Sequence, residues 1–319
     1  METKITLELI ESLRGVVEAN TRRTPLLRSE WLSKITGGEV FLKCENLQLT
    51  GSFKIRGGFA ALALDQPKSA VATSAGNHGQ GLAVAARTLG IPCTIVVPRS
   101  VPKIKEDAIR GYGATVVKAP CDGYDGTAAW AEEYLGKKAV APNLSAFDHP
   151  GVVAGNGGTT ALEIFEDVSD LDAVIVPCGG GGCAIGIGVA AQEKSPGTEV
   201  IGVNTDASPG MWFSRRDRRP HLKVESRPTI ADGIEGGISA RSYKLAEKYI
   251  NDIVVTKETT IRRAVREFAL RERMIAEGSG VAGVAALLDG LVQYRRVCVV
   301  ITGANIDHTL FNELMRETD

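Results

Sequence analysis

The residues best equipped for chemistry begin with a lysine. It stands in Thr50-Gly51-Ser52-Phe53-Lys54-Ile55-Arg56-Gly57-Gly58, beside a hydroxyl and ahead of the alanine-rich run Phe59–Leu64. A serine before such a run is an N-cap candidate, which puts Lys54 in the first helical turn. There the positive end of the helix dipole opposes the ammonium form and favours the neutral amine. A neutral lysine amine can attack a carbonyl carbon and form a Schiff base. A lone lysine is more often a solvated cation; three further segments give this one company.

Ser74-Ala75-Gly76-Asn77-His78-Gly79 follows the strand-like run Ala70–Thr73 and opens a helical pattern. Backbone amides at such a turn converge on a negative group, with Ser74 and Asn77 adding side-chain hydrogen bonds. A plain turn that caps the next helix would use the same residues. Cys178-Gly179-Gly180-Gly181-Gly182-Cys183 also links a strand-like run to a helical one. Four successive glycines carry a large conformational-entropy cost, so a cup of backbone amides for a phosphate explains them better than structure alone. The same string fits a loose G-x-G-x-x-A through Gly179, Gly181 and Ala184, with Asp206 as a ribose-binding acid. A nicotinamide-dependent oxidoreductase is therefore a rival, one that leaves Lys54 and the Ser-Ala-Gly-Asn turn without a task. Thr302-Gly303-Ala304-Asn305 follows the last apolar run, and its hydroxyl suits a ring nitrogen or a helix cap.

The elements that must position these segments alternate. Helical periodicity covers residues 2–20, and strands are expected at 39–43, 70–73, 94–97, 114–117, 173–176, 200–203, 253–255 and 297–301. Helices follow most of them, and residues 207–237 read as irregular and polar. Short continuous apolar strands between helices mean parallel sheets covered on both faces. Ligands of such sheets sit outside the carboxyl ends of the strands, so the glycine-bearing turns point to one crevice. At 319 residues the chain exceeds the size at which one core stops growing, which implies two lobes. A net charge of -1 argues against nucleic-acid and membrane-surface partners. Six dispersed cysteines without a C-x-x-C pair, no signal-peptide pattern and no bilayer-length apolar run give the expectation of a reduced, cytoplasmic protein. The run Arg215-Arg216-Asp217-Arg218-Arg219 reads as a solvated face.

In this order and spacing, the four segments resemble the serine/threonine dehydratase group of fold-type II pyridoxal-phosphate enzymes, which includes serine racemases. Phe147-Asp148-His149-Pro150, Ala231-Asp232-Gly233 and Glu277-Gly278 extend the likeness over nearly the whole chain. The resemblance implies a two-lobed α/β fold, tryptophan synthase β-like, with parallel sheets flanked by helices. A large cofactor-binding domain would comprise 1–66 and 146–319, and a small substrate-loop domain 67–145. Lys54 would hold pyridoxal phosphate as a Schiff base and shuttle the α-proton, with Phe53 beside the ring and Asn77 on the ring hydroxyl. Gly179, Gly180, Gly181 and Gly182 would bind the phosphate, and Thr302 would meet the pyridine nitrogen. Glu277 and Asp232 would line the cofactor side of the cleft. Ser52, Ser74, Ala75, Asn77 and His78 would bind the substrate. The implied activity is β-elimination from a threonine- or serine-like β-hydroxy-α-amino acid, giving a 2-oxo acid and ammonia. β-Replacement and racemisation are alternatives on the same fold, and a non-catalytic cofactor-binding module is another. A homodimer is the family's habit.

Departures from the family pattern narrow the expectation. Serine racemases carry a serine where this chain has Ala75, on the ring face opposite the lysine. Alanine cannot transfer a proton, so dehydration without efficient racemisation is expected. In the turn matching the family's divalent-cation site, Asn204 stands where the first acid is expected and Gly210 offers no side chain, although Asp206 lies between them. A hard cation needs several oxygens, so no metal is assigned. Asn156 stands where the family's Ala-Gly-Gln-Gly has glutamine. Met211-Trp212-Phe213 and Glu277-Gly278-Ser279-Gly280 resemble dehydratases of hydroxyectoine utilisation, which implies a substrate other than threonine.

Overall fold

The computed structural model describes residues 3–138 and 143–317. Among the described residues, nine strands form two sheets: β1 Leu26–Arg28, β2 Glu39–Lys43, β3 Ala70–Thr73, β4 Cys93–Val97, β5 Thr115–Lys118, β6 Ala173–Pro177, β7 Glu199–Thr205, β8 Asp252–Thr256 and β9 Arg296–Val300. The larger sheet runs β1-β2-β9-β6-β7-β8 and the smaller β3-β4-β5. Every pairing is parallel except β1 with β2. That antiparallel edge escapes a sequence reading because β1 has three residues and exposes two of them.

Burial on both faces accounts for the unbroken apolar strands. Within β6 and β9, Val174, Val176, Cys298 and Val300 point into one core, while Ala173, Ile175, Val297 and Val299 point into another. The period of two sends alternate residues to opposite faces. The first core is closed by the helices Leu7–Asn20, Thr159–Asp167 and Gly182–Lys194, the second by Glu258–Glu272 and Ala282–Leu288. Each buried valine or isoleucine contributes roughly 1.5–3 kcal/mol, which is what holds these layers together.

The helix Lys54–Asp65 belongs to both sheets. Ile55, Phe59, Ala61 and Leu62 enter the core of the smaller sheet, while Phe53 and Ala60 enter that of the larger. Its close neighbours need glycine. A Cβ on Gly81 of the helix Asn77–Thr88 would lie 2.7 Å from the Ile55 nitrogen, and one on Gly155 would lie 2.6 Å from the Arg56 carbonyl oxygen. Gly155 belongs to a π-helical turn, Ala154–Gly158, ahead of Thr159–Asp167. Such turns recur at functional sites.

A buried charge cluster pins the same helix. Arg56 pairs with Glu45 at 2.8 Å and with Glu163 at 2.7 Å, and Lys43 reaches Glu163 at 2.6 Å. All four side chains are at most 2% exposed. Two cations and two anions cancel, so none is left uncompensated away from water.

Residues 207–237 are more ordered than their polarity implies. They contain the helix Gly210–Arg216 and a 3₁₀ turn, Asp232–Ile234. The buried Asn204 side chain accepts from the Trp212 N–H at 2.9 Å, and Met211 is fully buried, so tertiary contacts make this helix. The helices Glu30–Thr36 and His308–Arg316 also fall outside the expected pattern. Arg215 turns inward, donating to the carbonyls of Ile250 and Asn251, so the basic run is not wholly a solvated face.

Candidate active site

Lys54 is the first residue of its helix, and the cap is not the expected one. Phe53 occupies the N-cap without a side-chain hydrogen bond, and the Ser52 hydroxyl stands 3.5 Å from the Lys54 nitrogen. The cap comes from Asn156 in the π turn, whose Oδ1 accepts from the Gly57 N–H at 2.8 Å. Lys54 Nζ donates to the Ala146 carbonyl at 3.2 Å and sits 5.0 Å from the centre of the Phe53 ring. Burial lowers its pKa to about 8, against weaker opposition from Cys183 and Glu277. Desolvation disfavours the ammonium, which makes the amine available near neutral pH.

The amine enters a cavity of about 450 Å³. The lysine helix contributes Phe53 and Lys54, and the turn after β3 contributes Ser74, Ala75, Asn77 and His78. The turn after β6 contributes Gly179 to Gly182, the turn after β9 contributes Thr302, and Glu277 completes the wall. Ser52 is not brought into the cavity lining and is fully buried. The strand ends therefore converge as parallel sheets require.

Close packing explains the four glycines. A Cβ on Gly180 would lie 2.3 Å from the Phe147 ring, one on Gly182 would lie 2.6 Å from the Phe147 carbonyl oxygen, and Gly181 has φ +89°. The helix Gly182–Lys194 then begins without a side-chain cap. Its first-turn N–H groups are free for an anion, with the helix dipole behind them. Asn204 anchors the cup from below, its amide donating to the Cys178 carbonyl.

The titrating neighbours have distinct states. Burial, reinforced by Asp232, raises Glu277 to about 7, although the Asn77 amide donates to it at 2.7 Å. Burial and the Lys54 charge push His78 down to about 4. Its Nε2 lies 3.0 Å from the Leu144 carbonyl, which can only accept, so Nε2 carries the proton. His78 is thus a neutral ring and offers a substrate carboxylate no positive charge.

Two observations bear on the other expectations. Both oxygens of Asp206 are engaged, one with the Glu258 N–H at 2.8 Å and one with Arg227 at 3.0 Å, and Asp206 does not line the cavity. A ribose-binding role is therefore not on offer. Among the described residues, no group of three or more His, Cys, Asp or Glu side chains is arranged to hold a metal ion. Sequence reasoning missed Lys105, which meets Asp232 at 2.8 Å at the cavity wall. On the charged helix Lys103–Gly111 nothing local distinguishes it from its solvated neighbours.

An amine titrating near pH 8, an uncapped glycine cup and a buried neutral hydroxyl at Thr302 in one cavity fit pyridoxal phosphate: aldehyde, phosphate and ring nitrogen each find a partner of suitable chemistry. Comparisons with known proteins agree. The family described as pyridoxal-phosphate dependent enzyme matches residues 17–303. An L-threonine ammonia-lyase of Thermotoga maritima is 40% identical, covering 98% of this chain and 79% of that protein. A catabolic L-threonine dehydratase of Staphylococcus aureus is 36% identical, covering 96% and 90%. The crystal structure of a serine racemase from Dictyostelium discoideum superposes with a TM-score of 0.87 at 30% identity, covering 95% of this chain and 99% of that one. The architecture is that of fold-type II, and the chain belongs to the pyridoxal-phosphate dependent enzymes.

Proposed function

We propose that the protein is a dehydratase, or ammonia-lyase, of the serine/threonine class, converting a β-hydroxy-α-amino acid to a 2-oxo acid and ammonia. The observation that carries this is the Lys54 amine, held near pKa 8 in the cavity that the glycine cup also lines. Pyridoxal phosphate, when bound, supplies the electron sink for the α-carbon. The Lys54 Nζ binds it and then takes the α-proton, a task suited to an amine titrating near working pH. The helix Asn77–Thr88 starts without a side-chain cap, so its first N–H groups can take the substrate carboxylate. With His78 neutral, that recognition rests on hydrogen bonds and the helix end rather than on a cation. Loss of the α-proton and the β-hydroxyl removes one water. The released enamine tautomerises and hydrolyses, taking one water back and freeing ammonia.

Racemisation is the second reading, favoured by the likeness to the serine racemase. It needs a proton donor on the face opposite Lys54, where the resemblance sets a hydroxyl and this chain presents the Ala75 methyl. Chiral analysis of L-serine incubated with the purified protein separates the two. Pyruvate and ammonia with negligible D-serine are expected; D-serine forming faster than pyruvate would replace this reading by racemisation. Added thiol should leave the product unchanged, whereas a thioether product would indicate β-replacement.

The finer organisation follows the same reading. Residues 1–66 with 146–319 make the cofactor lobe and 67–145 the substrate lobe, supported by their separate sheets. The protein acts as a cytoplasmic homodimer. Leu47, Leu49 and Ile275 are exposed on adjoining segments, joined by the Asn46 amide on the Ile275 carbonyl, and are suited to burial against a second copy. Phenylserine, 3-hydroxyaspartate and amino acids derived from hydroxyectoine belong in the substrate screen beside serine and threonine.

A further inference from the structure

Asn77 reaches the cavity wall from a chain of hydrogen bonds that has a direction. Asn305 Nδ2 donates to the Thr50 carbonyl at 2.8 Å and to Asn77 Oδ1 at 2.7 Å. A backbone carbonyl can only accept, so Thr50 fixes which end of the Asn305 amide is nitrogen. The second hydrogen of that nitrogen then fixes Asn77, whose oxygen must face Asn305. Asn77 Nδ2 is left to donate one hydrogen to Glu277 Oε1 at 2.7 Å. Its remaining hydrogen is unassigned, and Asn77 lines the cavity.

Two glycines enclose this chain. Gly51 has φ +67°, and a Cβ there would lie 2.7 Å from Asn305 Oδ1. A Cβ on Gly303 would lie 2.2 Å from Glu277 Oε1 and 3.3 Å from Asn77 Nδ2. The Asn305 backbone also hydrogen-bonds the Glu277 carboxylate. Asn305 is thus packed between Thr50, Gly51, Asn77 and Glu277, with little room to turn its amide.

We propose that Asn305 is a positioning residue that locks the Asn77 amide so that it presents an N–H, never its oxygen, to the bound cofactor. The inference rests on the reading of the cavity as a pyridoxal-phosphate site with Asn77 beside the ring oxygen. An N–H donor there stabilises that oxygen as an anion, and an oxygen there would repel it. Asn305 lines the same cavity wall, and its proposed effect on the cofactor runs through the Asn77 amide.

The test replaces Asn305 with Asp, which puts an acceptor where Asn77 needs a donor and turns its amide over. Purified Asn305→Asp, Asn305→Ala and wild-type proteins are stripped of cofactor and titrated with pyridoxal phosphate, following the visible band of the lysine-bound cofactor across pH. Loss of one donor to a charged acceptor is expected to weaken binding roughly tenfold in Asn305→Asp and to displace the pH midpoint of the band. Asn305→Ala, which frees the amide without reversing it, is expected to fall between wild type and Asp. A folded Asn305→Asp protein with the wild-type band, midpoint and affinity would overturn the proposal, as would equal effects in both variants, the mark of a merely structural role. If the Asp variant does not fold, an unchanged band and affinity in Asn305→Ala overturns it equally. Failure of the cofactor reading looks different: wild type itself would then show no band, or Lys54→Ala would keep it.

Discussion

Lys54 is suited to its proposed role because its ammonium is expensive where it sits. Burial is the main cause of its depressed pKa, about 8 against an ordinary 10.5, and the amine is the nucleophile only when neutral. Below pH 8 the group is mostly charged and attack is slow; above it the neutral form dominates. Capture of pyridoxal phosphate by the apoprotein should therefore accelerate with rising pH to a plateau, with a midpoint near 8. Stopped-flow absorbance measures this directly, and a midpoint near 10.5 would mean the amine is solvated. The sequence made Lys54 legible through its glycines and the run that follows. It gave the wrong physical emphasis, because a helix dipole can be read from neighbours in the chain whereas burial depends on Ala146, Cys183 and Glu277 arriving from elsewhere. The proposed role of Asn305 was hidden for the same reason: its partners are 228 and 255 residues away.

At the scale of elements, the turn after β6 and the helix Gly182–Lys194 are proposed to act as one anion site, and the glycines let Phe147 and Ile234 close behind them. The replacement Gly180→Ala would force a methyl to within 2.3 Å of the Phe147 ring. Overpacking of this kind costs about 1–3 kcal/mol. We expect a cofactor dissociation constant raised tenfold or more in equilibrium dialysis, together with a lower melting temperature of the apoprotein. Wild-type affinity in this variant would show that the cup does not need its backbone position. The alternation of strands and helices was readable because every strand of a covered parallel sheet is apolar on both faces. The π turn, the helix Gly210–Arg216 and the edge strand β1 were not readable, since each leans on a partner outside its own element, namely Gly57, Asn204 and β2 respectively.

At the scale of the molecule, the lysine helix is shared by two cores and tied to the larger one by Arg56, Lys43, Glu45 and Glu163. Removing one member of a buried ionic cluster leaves an uncompensated charge, at a cost of about 3–5 kcal/mol. The Glu163→Gln variant should show that loss in urea unfolding, and a change below about 1 kcal/mol would mean water reaches the cluster. Arg56 stood in plain view two residues after Lys54, yet nothing in the sequence tells it from a surface arginine, because Glu163 lies 107 residues away. The central claim concerns Lys54 as the amine that binds the cofactor and moves the α-proton, and ammonia release tests it most directly. Purified wild-type protein supplied with pyridoxal phosphate and L-serine or L-threonine should release ammonia and the corresponding 2-oxo acid in equal amounts, and folded Lys54→Ala protein should release neither. Ammonia release that persists in Lys54→Ala would contradict the account.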